Sequence, residues 1–290
     1  MDHAQACALA ERCHRVTNSL HTPIYFAPEA EERYTAAGLR PGRMGYFASR
    51  SAPLGPVEPG VVTATFYNFS PELIARHIPD AWTLASPDKI LSARLDAADA
   101  ALRRLLRDAV SSPELAEAAE LAREAAAGCT VEGRPLFAGH AELDWPSEPH
   151  LVLWHACTLL REFRGDGHVA VLLANGVSGL SALIGNVATG KSFHPQAAKA
   201  IRGWSDAQWD VATAGLVKDG VLDETGALTT HGTEFRRRLE DQTNEVSVGP
   251  WLKLGAEKAA RLAELAEPLR RTIVAAGAFP TDLFSAPPGS

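Results

Sequence analysis

The stretch HLVLWHACTLLREFRGDGH, residues 150–168, decides how this chain is read. Plotted at about 100° per residue, Leu159, Val152, Phe163, Ala156, Leu160, Leu153 and Cys157 form an apolar band suited to a protein core. His150, Arg161, Trp154, Thr158, Glu162 and His155 occupy the opposite arc, about 140° wide by the same count. Solvent-facing helix surfaces are usually rich in Lys, Glu and Gln. Two histidines, a tryptophan and an arginine on one arc describe instead either the wall of a polar cavity or a polar seam between packed helices. Gly165 reads as the residue that stops this helix, expected over 149–164, and Asp166 as the cap of the next. That turn would bring Asp166 and His168 to the same wall.

Working outward, 290 residues with 46% hydrophobic and 22% charged content can bury a sizeable core, expected here as two packed domains. The DWPSEP turn, residues 144–149, divides a helical region (1–145) from a second region (146–290) that includes the central helix. A net charge of −7 offers no general attraction to nucleic acid or an anionic membrane. Cys7, Cys13, Cys129 and Cys157 lack metal-site spacing and read as free thiols in a reducing cytoplasm. The N-terminal residues lack the basic start and apolar run of a signal peptide, and no run reaches the roughly 18 apolar residues of a membrane span.

Helix signals dominate both sides of the central stretch. Ser70-Pro71, Ser86-Pro87 and Ser112-Pro113 each place a capping residue before a proline at the first helical position. They predict helices to about His77, Leu106 and Ala127. VVTATFYNF, residues 61–69, is apolar enough for a buried strand or a buried helix. Further helices are expected over 2–20, 29–37, 169–175, 179–189, 194–203, 206–219, 231–246 and 256–276. VLDETGALTTHG predicts a minimal β-wing, and the Pro-rich tail FPTDLFSAPPGS is expected to fray.

Two short motifs fail on context. GNVATGKS, residues 185–192, has the letters of a phosphate-binding loop, but a helical SGLSALI precedes it and Pro195 follows where a helix should continue. NGVSGL, residues 175–180, lacks the spacing and strand of a nucleophile elbow, so Ser178 reads as a helix cap.

The order of helix 195–202, helix 206–219, wing and helix 231–246 is that of a winged helix-turn-helix. DGVLDETGALTTHGTEFRRRLE resembles the wing and following helix of the MarR-type regulators over about 50 residues. The charges oppose the usual DNA contact: the helix that would enter the groove carries Asp206, Asp210 and Asp219 against Lys218 alone. Trp204 and Trp209 read as packing residues, and Arg236, Arg237 and Arg238 as a solvated face. RMGYFASRSAPLG, ATFYNF, PHLVLWHACTLLREFRGDGH and RGWSDAQW together resemble an actinobacterial family of helix-turn-helix-like proteins, many of which carry His where Phe163 stands. That resemblance implies the architecture and no particular chemistry.

The expectation is therefore a mainly α protein, its helical N-terminal region packed on a winged-helix-like C-terminal region, with a polar pocket where they meet. Arg43, Tyr46, Arg50, Tyr67, Asn68, His150, Trp154, Thr158 and Arg161 are the candidate ligand-binding residues; His155, His168, Glu162 and Asp166 are the candidate acid–base groups. Such a pocket suits a planar, partly anionic metabolite. An enzyme using histidine and carboxylate chemistry, with or without haem or metal, is one alternative. A DNA-binding regulator with the pocket as effector site is another. His150 and His155 lie five apart, which is not the i, i+4 pairing of a helical zinc site, so no metal ligands are assigned and no cofactor is named. The long terminal helices are compatible with a homodimer.

Overall fold

The caps that the sequence announces explain where most helices begin. Ser86 and Ser112 accept hydrogen bonds from the amides of Lys89 (3.3 Å) and Leu115 (3.1 Å). Ser178 does the same for Ser181 at 3.1 Å. Ser205 forms a full capping box with Gln208. Ser70 departs from the pattern. Its hydroxyl is buried without a partner, and its amide donates instead to the carbonyl of Arg202 at 2.8 Å. It marks a tertiary junction as well as a helix start.

The computed structural model describes residues 3–284. In chain order its helices are α1 (His3–His21), α2 (Pro28–Ala36), α3 (Arg43–Ser51), α4 (Pro59–Phe66), α5 (Pro71–Ala75), α6 (Asp80–Leu84), α7 (Pro87–Leu106) and α8 (Pro113–Ala126). There follow α9 (Pro135–Ala141), α10 (Pro149–Ala174), α11 (Gly179–Val187), α12 (Pro195–Arg202), α13 (Asp206–Lys218), α14 (Thr230–Val246), α15 (Gly249–Leu254) and α16 (Ala256–Ala275). The protein is mainly α, and VVTATF resolves as helix α4.

One large core is shared by α1, α2, α7, α8, α10 and α16, with Met44, Phe47, Ile74, Ile90, Leu115 and Leu262 among its fully buried side chains. Helix α10 packs on α1, α7, α8 and α9 and also on α14. Helices α11, α12 and α13 enclose a smaller core of Leu180, Leu183, Ile184, Val187, Ala198 and Leu222. Trp204 and Trp209 pack against it, as packing residues should.

Three expectations are corrected. First, α10 does not stop at Gly165: it runs through Gly165 and Gly167 to Ala174, and neither glycine has a positive φ. A helix buried by neighbours on several sides absorbs the roughly 1 kcal/mol that an internal glycine costs. Gly167 has a separate reason to be small, since a Cβ there would come within 2.5 Å of Arg134 Nη1. That guanidinium caps α10 and α14 carbonyls at Phe163 and Val246. Second, no β-wing forms among the described residues: the expected wing segment has a single antiparallel bridge, Leu222 to Leu228. The connection is too short for a ladder, because Asp223 Oδ1 gathers the amides of Thr225 (2.8 Å) and Ala227 (3.1 Å) into a tight turn. Third, the tail is docked as far as it is described: Phe284 stacks on Phe193 with centroids 4.5 Å apart, and Leu283 O accepts from His194 N. The rest of the expected fraying, at 285–290, and the start of the first helix at residue 2 lie outside the described residues.

All four cysteines are free thiols. Among the described residues no single helix is long and apolar enough to cross a membrane.

Candidate functional site

Helix α1 runs along α10 so that His21 meets Trp154 and Thr158, while His14 lies near the charges of Arg164 and Arg161 and the ring of His168. Beside His14 and Asn18 a cavity of about 660 Å³ opens, bounded by α1, α3, the end of α4, the second half of α10, α11, Arg202 of α12 and α14. Its lining includes six arginines (Arg50, Arg161, Arg164, Arg202, Arg236, Arg238) against two carboxylates, Asp219 and Glu240. Aromatic walls come from Tyr46, Phe66, Tyr67, Phe69, Phe193 and Phe235. In a chain of net charge −7 this is a strong local inversion of sign.

Beneath the cavity floor, Glu162 is fully buried and takes a bidentate contact from Arg50, Nε at 3.0 Å and Nη2 at 2.8 Å, and a third bond from Arg161 Nη1 at 2.7 Å. Burial alone would raise its pKa, but Arg161 and Arg50 outweigh burial and hold the carboxyl well below its usual range. Arg50 also lies over the Phe66 ring at 4.4 Å. The Tyr46 hydroxyl is 3.4 Å from Arg50 Nη1. Burial pushes this phenol up, yet Arg50, Arg202 and Arg161 together bring it below the ordinary tyrosine value.

At the other end, Arg164 Nη2 bonds Glu240 at 2.9 Å and Asn244 at 3.0 Å. His168 Nδ1 is 2.9 Å from Thr243 Oγ1, whose single proton goes to the Leu239 carbonyl at 2.7 Å. This pattern assigns the proton to Nδ1 and leaves Nε2 as the acceptor of a ring that lines the cavity. Burial lowers the pKa of His168, keeping the ring neutral, and burial followed by Arg164 and Arg161 does the same for His14.

Of the residues expected from sequence, Tyr46, Arg50, Tyr67, Asn68, Arg161 and His168 line this cavity. The others do not. His150 Nε2 is bonded to Asp99 at 2.6 Å, and Trp154 stacks on His21 with its indole N–H on the His21 carbonyl at 3.4 Å. Thr158 accepts from His21 Nδ1 at 2.8 Å while donating to the Trp154 carbonyl. His155 meets Trp145 edge to face at 4.8 Å, and burial lowers its pKa to about 4. Asp166 accepts from the Phe137 amide at 2.9 Å, with its pKa raised by burial to about 6. Arg43 donates to the Ile201 carbonyl. Glu162 touches the cavity only through its arginines. The first three turns of the polar arc on α10 are therefore a covered seam, hydrogen-bonded except at the buried Nε2 of His155, and the open wall begins at Arg161.

Residues the sequence reading passed over are His14, Arg164, Arg202 and the pair Arg236 and Arg238, read as solvated but placed on the cavity wall. Arg202 had a signal in its neighbours: it precedes Gly203-Trp204, and Gly203 takes the left-handed conformation that ends α12 (φ 74°). Among the described residues no three His, Cys, Asp or Glu side chains are grouped to hold a metal ion.

A family model described as a helix-turn-helix family matches residues 10–280. No curated protein and no solved structure matches the chain.

Proposed function

The chain belongs to the helix-turn-helix family, and from that premise we propose that it is a regulator-like protein whose effector, a small, planar and anionic metabolite, occupies the cavity between the helical body and α11–α14. The observation that carries this reading is the cavity's cationic lining in an otherwise acidic chain. Guanidinium groups recognise carboxylates and phosphates through paired N–H donors, and aromatic walls complement a planar body. The turn Tyr67–Ser70 supports a link from cavity to helix-turn-helix segment. Tyr67 Oη donates to the Val177 carbonyl at 2.6 Å, Asn68 O accepts from Trp204 Nε1 at 3.0 Å, and Ser70 N donates to Arg202 O at 2.8 Å. Native mass spectrometry of the purified chain should find a small anion that denaturation releases; an empty protein with no thermal shift across a library of anionic metabolites refutes the effector reading.

Direct DNA contact is the family's own suggestion, and α13 is where it meets resistance. That helix exposes Asp206, Asp210 and Val211, the last at 74%, beside the lone cation Lys218. Phosphate-driven binding must weaken as salt rises. A mobility shift against genomic fragments at low and moderate salt separates a working DNA reader from a member that has kept the fold and the effector site.

The neutral His168 on the cavity lining, with its Nδ1 engaged by Thr243, favours a second reading, an acid–base enzyme acting on the same anion. Product formation from the co-purified ligand, abolished in His168→Gln, is its test.

A further inference from the structure

The inner end of the cavity has more positive charge than its own residues neutralise. Arg50 and Arg161 share the single carboxylate of Glu162. Arg202, beside them, has no carboxylate partner: its Nε is buried with no hydrogen-bond acceptor, and its guanidinium lies over Phe69 at 4.2 Å and near Phe193 at 5.3 Å. Arg50 stands over Phe66 at 4.4 Å, Phe66 and Phe69 are 6.1 Å apart, and Tyr46 touches both rings, at 6.0 and 5.5 Å. Two cations and three aromatic rings thus interleave around one phenol. Three guanidiniums against one carboxylate leave two positive charges uncompensated. Aromatic faces attract a cation weakly and cannot neutralise it, and leaving charge buried without a counter-ion is costly. The depressed Tyr46 phenol registers the same field, since Arg50, Arg202 and Arg161 are what overcome its burial.

We propose that Arg50, Arg161 and Arg202, with Tyr46, form a subsite for an oxyanion head group carrying two negative charges, held against the Phe66, Phe69 and Phe193 walls by the planar body of the ligand. The proposal rests on the effector reading of the cavity and narrows it to a chemical class. A monocarboxylate leaves one charge unmatched; a phosphate monoester or a vicinal dicarboxylate matches both. Arg202 donates through free Nη groups, while the forks of Arg50 and Arg161 are already turned to Glu162. It is therefore the residue on which discrimination turns. Because Arg202 ends α12 and its carbonyl is bonded to Ser70, the head group also reaches the first turn of the helix-turn-helix connection.

The test is calorimetric titration of the full chain, at fixed ionic strength, with phenyl phosphate, phthalate and benzoate, which share one ring and differ in charge. At least one dianion should bind about tenfold or more tightly than benzoate, as expected for one additional charge-assisted contact in a shielded site. Which dianion prevails identifies the source as a phosphate or a dicarboxylate. Arg202→Met should abolish that preference while circular dichroism and the urea midpoint stay close to the parent. Should Arg202→Met fold poorly, Arg202→Lys keeps a cation without the fork and should narrow the preference. As an independent readout, the phenol absorbance lost in Tyr46→Phe should titrate at higher pH when the dianion is bound. Equal affinity for all three probes, or a preference that survives in Arg202→Met, overturns the subsite. If none of the probes binds while native mass spectrometry still finds an anion in the cavity, the subsite is wrong and the effector reading stands. If neither is found, both fall.

Discussion

The two halves of α10 carry one continuous polar stripe, and they use it in opposite ways. His150, Trp154, Thr158, Arg161, Gly165, His168 and Leu172 follow one another at steps of three and four, so they share a helix face. Over the first half that face is closed by Asp99 of α7 and by His21 of α1. Over the second half α1 stands across a gap from it, contributing His14 and Asn18 to the opposite lining, and the same face becomes the cavity wall. His21 and His168 show the difference most directly. Each donates Nδ1–H to a threonine whose own proton goes to a carbonyl four residues back, Thr158 to Trp154 and Thr243 to Leu239. His21 Nε2 is then met by Tyr25 Oη at 2.8 Å, whereas His168 has no such second side-chain partner among the described residues and its ring lines the cavity. One local device builds a closed seam in the first case and a binding wall in the second, so polar composition alone does not distinguish them.

The largest expected effect tests the claim that the buried histidines around α10 are held neutral, His21 and His155 in the seam, His14 on the cavity wall and His140 on α9. Burial lowers the pKa of His21 and His14 well below the usual value, of His140 to about 3 and of His155 to about 4. In the unfolded chain these rings titrate near pH 6.5. Below that pH the unfolded state binds more protons, so stability is complete above about 6.5 and falls as pH drops, by about 1.4 kcal/mol per pH unit for each such histidine. Urea unfolding between pH 7 and pH 4.5 should show a cumulative loss of several times that slope. A flat profile means that the rings are solvated.

Next in size is the carboxylate on which both halves converge. Glu162→Gln leaves the buried Arg50 and the half-buried Arg161 without a counter-charge, a change that costs about 3–5 kcal/mol. The Glu162 pKa is depressed, so its contribution is present above the unfolded value near 4.3 and is lost as pH falls below it toward the folded value. The deficit of the variant, measured by denaturant unfolding, should be full at pH 7 and shrink under acid. Histidine substitutions then separate the halves. His21→Ala, in the closed seam, should lose about 2–4 kcal/mol through a cavity and two orphaned partners. His168→Ala, on the open wall, should lose under about 1.5 kcal/mol, one hydrogen bond's worth, and change ligand affinity instead. Equal losses would erase the distinction between seam and wall.

What the sequence made legible follows from how local each signal is. Caps at Ser86, Ser112, Ser178 and Ser205 are decided within four residues, and they form as expected. Ser70 has the same letters, but its environment is set by Arg202, far along the chain. The polar arc on α10 was visible as a pattern. Which part of it would be covered depends on where α1 and α3 lie, and periodicity does not encode that. The cavity's arginines come from α3, α10, α12 and α14, each looking like an ordinary surface or core residue in its own helix. The run Arg236–Arg238 is the plainest case: Arg237 pairs with Asp241 at 3.2 Å on the surface while its two neighbours face the cavity.

Gly165 supplies the smallest and most exacting test, because the sequence assigned it as a stop and the fold uses it as an ordinary helical residue. Its φ is not positive, and a Cβ placed there would meet only Glu162 Oε2, at 3.7 Å, an ordinary contact distance. Gly165→Ala should then stabilise the protein by about 0.5–1 kcal/mol, through helix propensity and a stiffer unfolded chain. A helix that ended at this residue in a left-handed cap would instead be destabilised by the same change. Two residues on, Gly167→Ala should destabilise, since its methyl displaces the Arg134 guanidinium from the Phe163 and Val246 carbonyls. Opposite signs for these two alanines in denaturant unfolding would show that α10 is one helix through both halves, closed above and open below for reasons that lie in its neighbours.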